Sequence, residues 1–225
     1  MFIIILLILL IYLYYYTKPN IYFLSKYETI SFFIKDYDNI LNKQNDNNIL
    51  NKWCNSASNF SNYEKNKIIK SINYMRKCIR ENIKNIKLKN QLLSIDLIFS
   101  KTIGDKYLYG LAHTRFNIIF LNKKIIKKNN IKQLATYIIH EMSHIWQRIY
   151  KKEMIKWLQL SGYYIIKKYN YNIYFNPDID YNIYNNIYSL QYKYNYDNIN
   201  DLLYNYIMNF HPYEIFAYNM EKYIK

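Results

Sequence analysis

Apolar residues recur at three- and four-residue intervals in several stretches of the chain. The clearest is Ile131, Leu134, Ala135, Ile138, Met142, Ile145 and Ile149, the period of a helix that buries one face. Asn130, with Gln133 three positions on, offers a weak capping box and starts this helix. Ser25 and Glu28 form a similar box ahead of Ile30, Phe33, Ile34, Tyr37, Ile40 and Leu41. Ser61 and Glu64 open a third helix whose buried stripe is Ile68, Ile72, Met75, Ile79 and Ile83. Lys152 to Tyr169 also reads as helical, with Gly162 a weak point.

Between Leu92 and Leu121 the pattern changes to short β-favouring runs, Ser94 to Ile103 and Phe116 to Leu121. Gly104 and Asp105 make a turn between the first run and Lys106 to Tyr109. The polar run Gln44 to Asn48 predicts a loop, as does the Tyr/Asn-rich stretch Asn170 to Asn200, long enough for a lid or a disordered segment. The fold class expected is α+β, mostly helical, with a small sheet just before the helix at 131–150.

Residues 1–16, MFIIILLILLIYLYYY, carry no charge and precede Lys18 and Pro19. As a helix they would span about 24 Å, short of a hydrocarbon core of roughly 30 Å, with the tyrosines at the interface. No basic residue precedes the run and no small-x-small site comes after it, which argues against a cleaved signal peptide. The expected organisation is a single-pass transmembrane anchor at 1–16 and one domain at 17–225. Lys18, Lys26 and Lys35 favour a cytosolic domain, whereas a short N-terminal apolar segment often carries a long C-terminal domain across the membrane, so the side stays open.

Composition changes this picture little. The net charge of +15 could serve a nucleic acid, but the lysines are dispersed along the chain and no dedicated motif accompanies them, which argues against that partner. The 29 tyrosines, with only 3 glycines and 3 prolines, fit an AT-rich coding bias. Cys54 and Cys78 make neither a disulfide framework nor a metal knuckle.

The chemistry sits on the central helix. His140 and His144 differ by roughly 40° in direction and about 6 Å in rise, so both imidazoles can reach one metal ion. Glu141 points about 100° away from His140, toward an open coordination position, and reads as a general base. A buried helix with two hydrogen-bonded histidines is the plain alternative, in a chain with 4 histidines.

His140-Glu141-x-x-His144, with Trp146 and Gln147, resembles the catalytic helix of the zincin metallopeptidases. That resemblance implies a Zn2+ cofactor, a peptide or protein substrate, and an edge strand that pairs with extended substrate, a place Phe116 to Leu121 would take. A catalytic zinc needs a third protein ligand. Tyr150 and Gln147 stand where the metzincin subtype has His and Gly, and Glu153 would need an immediate chain reversal. Pro212 suits the first turn of a helix that places Glu214 and Ala217 on one face. Glu214-x-x-Ala217 resembles the second motif of the gluzincin group, which makes Glu214 the expected ligand, with His211 and Asp178 in reserve.

The position four residues beyond Glu214, where the group often has a carboxylate that orients a ligand histidine, is Tyr218, so the orienting residue is unassigned. Glu214→Ala is expected to weaken zinc binding markedly, whereas Glu221→Ala, one heptad along the same helix, is not. Tyr218 and His211 are candidates to stabilise an oxyanion, and His113 reads as a local polar residue. The function expected is a membrane-anchored zinc metallopeptidase with Glu141 as base and His140, His144 and Glu214 on zinc. The alternative is a non-catalytic membrane protein of zincin fold with a structural or binding role.

Overall fold

The computed structural model describes residues 19–40, 47–105, 108–168, 182–186 and 211–224. The expected anchor, Asp178 and most of the 170–200 stretch lie outside them. Among the described residues no helix is long and apolar enough to cross a membrane.

The chain runs β1 (Ile21–Phe23), α1 (Lys26–Ile40), α2 (Asn47–Ser56), β2 (Ala57–Ser58), α3 (Asn62–Asn82), α4 (Ile86–Leu93) and β3 (Leu97–Thr102). It continues through β4 (His113–Arg115), β5 (Ile118–Asn122), α5 (Lys123–Lys128), α6 (Ile131–Ile149), α7 (Lys151–Leu160), β6 (Tyr163–Lys168), β7 (Asn182–Asn186) and α8 (Pro212–Glu221). This is a mostly helical α+β architecture with a small mixed sheet ahead of α6.

The three expected helix starts are real caps. Ser25 and Glu28 exchange hydrogen bonds at the head of α1, Ser61 and Glu64 at α3, and Asn130 and Gln133 at α6. Each box satisfies two amide donors that the first turn otherwise leaves without partners. On α3 the predicted stripe Ile68, Ile72, Met75 and Ile79 is fully buried, and it faces α6. On α6, Leu134, Ala135, Ile138, Met142 and Ile145 are buried, whereas Ile149 is 56 % exposed because the helix end clears the core.

The strand order is β1-β3-β5-β4, with the two-residue β2 beside β3. β1, β3 and β5 are parallel, and β4 runs antiparallel to β5. Phe116 to Leu121 is therefore no edge strand: β5 is hydrogen-bonded on both sides, to β3 and to β4. All five of its residues are buried. Its alternate side chains pack into cores on opposite faces, Ile119 and Leu121 with α3 and α6, Ile118 and Phe120 with Phe33 and Trp53. A continuous apolar run is the mark of a strand covered on both faces.

The expected helix at 152–169 stops early. Gly162 adopts φ +77, the left-handed conformation that ends helices, and Tyr163–Lys168 then pairs antiparallel with Asn182–Asn186. β7 thus falls within the stretch read as loop. The run expected to begin a strand at Ser94 begins it at Leu97, since Ser94 caps the unforeseen helix α4. Helix α2 likewise begins at Asn47, inside the polar run read as loop.

Lys101 and Glu64 form a nearly buried ion pair, with Lys101 Nζ 2.7 Å from Glu64 Oε2 and 3.0 Å from the carbonyl of Asn59. Burial opposes the Glu64 carboxylate, but Lys101 and the amide of Ser61 together hold its pKa below the ordinary value. A depressed carboxyl pKa adds stability that is complete above the unfolded pKa of about 4.3 and is lost as pH falls through the folded value. Glu64→Gln is expected to lower unfolding free energy by about 1 to 2 kcal/mol at pH 7, because a neutral amide oxygen replaces the carboxylate as the acceptor for Lys101. The gap between variant and wild type should close as the wild type is titrated to lower pH, and urea unfolding across pH 2–7 measures it.

Candidate metal centre

Two helices build the site. α6 supplies His140, Glu141 and His144, and α8 supplies Glu214, Tyr218 and Glu221. α8 starts as its sequence suggests, with Pro212 in the first turn and His211 as N-cap, its Nδ1 accepting from the Tyr213 amide at 3.3 Å. The helices close through Trp146 stacked on Phe216, ring centroids 4.9 Å apart and planes 8° from parallel, with Trp157 edge-on to the same ring at 5.2 Å. Ala217 is fully buried here, its small side chain allowing the close approach.

That docking carries Glu214 to the two histidines. Its Oε2 lies 3.2 Å from His140 Nε2 and 3.6 Å from His144 Nε2, and the two Nε2 atoms are 3.2 Å apart. These three atoms can hold one metal ion. Ligands about 2.05 Å from a tetrahedral zinc stand about 3.3 Å from one another, so the triangle has the size that such an ion requires. The donor set of two imidazoles and one carboxylate is also that of an open catalytic zinc site. His144 is fully buried and Glu214 nearly so, while the His140 side chain keeps 14 % of its surface in solvent.

Behind the histidines, each Nδ1 has a partner. Glu221 Oε1 lies 2.7 Å from His140 Nδ1, and Gln147 Oε1 lies 2.9 Å from His144 Nδ1. With Nδ1 donating outward, the nitrogen that each neutral ring would offer to a metal is Nε2, on the side of the triangle. Glu221, expected to be a control for Glu214 on the same helix, instead stands against a ligand histidine. Seven residues turn a helix about 20° short of two full turns, so Glu221 shares the face of Glu214, and a side chain leaning back toward the N-terminus reaches His140 from behind. The heptad spacing is the signal available in the sequence, and likewise Gln147 lies one turn beyond His144.

The electrostatics are those of an anionic pocket. Burial works against a charged His140, yet hydrogen bonds to Glu214 and Glu221 and the charge of Glu141 push its pKa up to about 11. Burial also opposes an ionised Glu214, and is outweighed by the charges and hydrogen bonds of His144 and His140, which hold the carboxyl well below its usual range. Three carboxylates converge on two imidazoles, an arrangement that a divalent cation neutralises. Tyr218 is half-exposed, edge-on to His140 at 4.9 Å, and burial together with Glu214, Glu221 and Glu141 raises its pKa, so the phenol keeps its proton.

Glu141 is buried beside His140 and outside the ligand triangle. The reserve ligand His211 is occupied as a helix cap and is not part of the triangle, and Glu153 pairs with Lys87 at 2.6 Å instead. His113 stacks on Phe120 at 4.9 Å with its Nδ1 on the carbonyl of Leu111, a local role. Comparisons with protein-family models, with curated proteins and with solved structures find no match for the chain.

Proposed function

We propose that this protein is a zinc metallopeptidase of the gluzincin type, held to a membrane by its N-terminal apolar segment. The observation that carries the reading is the triangle of His140 Nε2, His144 Nε2 and Glu214 Oε2, with sides of 3.2, 3.2 and 3.6 Å. Zinc held there would polarise a substrate carbonyl and bring the pKa of water toward neutrality.

The chain's own residues supply the remaining chemistry. Glu141 takes the proton of the attacking water and passes it to the leaving amine. Tyr218 is the better of the two oxyanion candidates, since it is half-exposed beside His140 and still carries its proton. His211 is buried and spends a nitrogen on the α8 cap. Glu221 and Gln147 orient the two ligand imidazoles. Because β5 is paired on both sides, an extended peptide does not add to Phe116–Leu121. A peptide or protein remains the substrate class that this chemistry serves.

The test is metal analysis of the purified full-length protein, with a mixed-peptide cleavage assay on wild type and Glu141→Gln. One bound zinc and Glu141-dependent cleavage would support the proposal. Zinc without cleavage would favour a binding or structural role. For the anchor, full-length protein is expected to stay in membranes through carbonate extraction, and a mature N-terminus beyond Tyr16 would refute it.

A further inference from the structure

Gln147 makes two contacts whose directions fix each other. Its Nε2 lies 2.8 Å from the carbonyl oxygen of Tyr213, and its Oε1 lies 2.9 Å from His144 Nδ1. A carbonyl only accepts, so the atom facing Tyr213 must be the amide NH2. The opposite amide orientation would place two oxygens 2.8 Å apart. Oε1 therefore faces the histidine, and an amide oxygen also only accepts, so His144 Nδ1 must carry the proton. In the neutral ring Nε2 then carries the lone pair, and it faces His140 Nε2 and Glu214 Oε2.

Both groups are deep in the protein. Gln147 is 1 % exposed and His144 fully buried, so water does not compete for either contact. The Tyr213 carbonyl belongs to the residue just before Glu214, in the first turn of α8. One side chain thus touches the second histidine of the motif and the backbone next to the third ligand.

We infer that Gln147 is a positioning residue: it locks His144 in the Nδ1–H tautomer and straps the start of α8 to α6, so that His144 Nε2 and Glu214 Oε2 arrive at one point. This rests on the metal-site reading above. It assigns the two histidines different supports, a carboxylate behind His140 and a neutral amide behind His144. A neutral support keeps a further negative charge away from a pocket that already holds Glu141, Glu214 and Glu221.

The test uses full-length protein in detergent and zinc affinity by competition with a chromophoric chelator. Gln147→Leu, which removes acceptor and donor at similar volume, is expected to weaken zinc binding about 10- to 100-fold, the range for loss of an orienting partner. Gln147→Glu keeps an acceptor for Nδ1 but sets a carboxylate oxygen against the Tyr213 carbonyl in place of the amide donor, so it keeps the lock without the strap and should still bind zinc more tightly than Gln147→Leu. Equal loss in both variants would overturn the lock on His144 as a source of the affinity, and wild-type affinity in Gln147→Leu would overturn the inference altogether.

Should Gln147→Leu not fold, 15N-histidine spectra of zinc-free wild type decide instead, with only 4 histidines to resolve. A bare Nδ1 with the proton on Nε2 would overturn the assignment, and a protonated Nδ1 would support it. Failure of the wild type itself to bind zinc would count against the metal site, and is distinguishable from every outcome above.

Discussion

Glu141→Gln is expected to bind zinc as wild type does and to lose about 10²- to 10⁴-fold in kcat/KM for peptide cleavage, the range for removing a general base. Glu141 lies on the same helix as both histidines, about 100° around from His140, and is not one of the three converging ligands. Gln preserves its volume in a buried position, so the helix and the triangle should stand. An amide cannot accept the proton of the attacking water, so the loss should appear in kcat with KM little changed. His144→Ala should lose zinc and cleavage together, since it removes a ligand. Turnover close to wild type in Glu141→Gln would show that another group takes the proton.

Much of the scaffold is legible in the sequence because its signals are local. A helix announces itself through period and caps, and Ser25/Glu28, Ser61/Glu64 and Asn130/Gln133 all form the boxes their spacing suggests. Half of the site shares that advantage, His140, Glu141 and His144 being fixed to one another by little more than a turn of helix. Glu214 is reachable through Pro212, which marks where α8 begins. The features that escape a sequence reading depend on partners distant along the chain. β4 is three residues long and polar, so nothing in His113–Arg115 reveals the strand that turns β5 from an edge into an interior strand. The strand Tyr163–Lys168 is hidden because Ile165 and Ile166 suit a helix as well, and only the conformation of Gly162 shows that it terminates α7. Glu221 escapes for a different reason. Its heptad spacing gives the face it shares with Glu214, but which atom of His140 it meets depends on how α8 lies across α6.

Glu214→Ala should cost more zinc affinity than any other substitution on α8. The carboxylate is the anionic member of the ligand triangle, and its removal leaves two neutral imidazoles with a buried gap where the third donor stood. Glu221→Ala removes the same charge from the same helix but acts only through His140 Nδ1, so its expected cost is the about 10- to 100-fold of an outer partner. Glu221→Gln should recover part of that, because an amide oxygen still accepts from Nδ1. The comparison separates a ligand from a charge. If net charge alone governed affinity, the two alanine variants would fall together, whereas the geometry requires Glu214→Ala to fall further and Glu221→Gln to stand closer to wild type than Glu221→Ala. Thermal unfolding gives a second reading of the same quantities. Zinc at about 100 times its Kd should stabilise the wild type by about 2.7 kcal/mol, and at that concentration should leave Glu214→Ala nearly unchanged. Unaltered zinc affinity in Glu214→Ala would remove α8 from the metal site, and the gluzincin assignment would fall with it while the His140 and His144 pair remained.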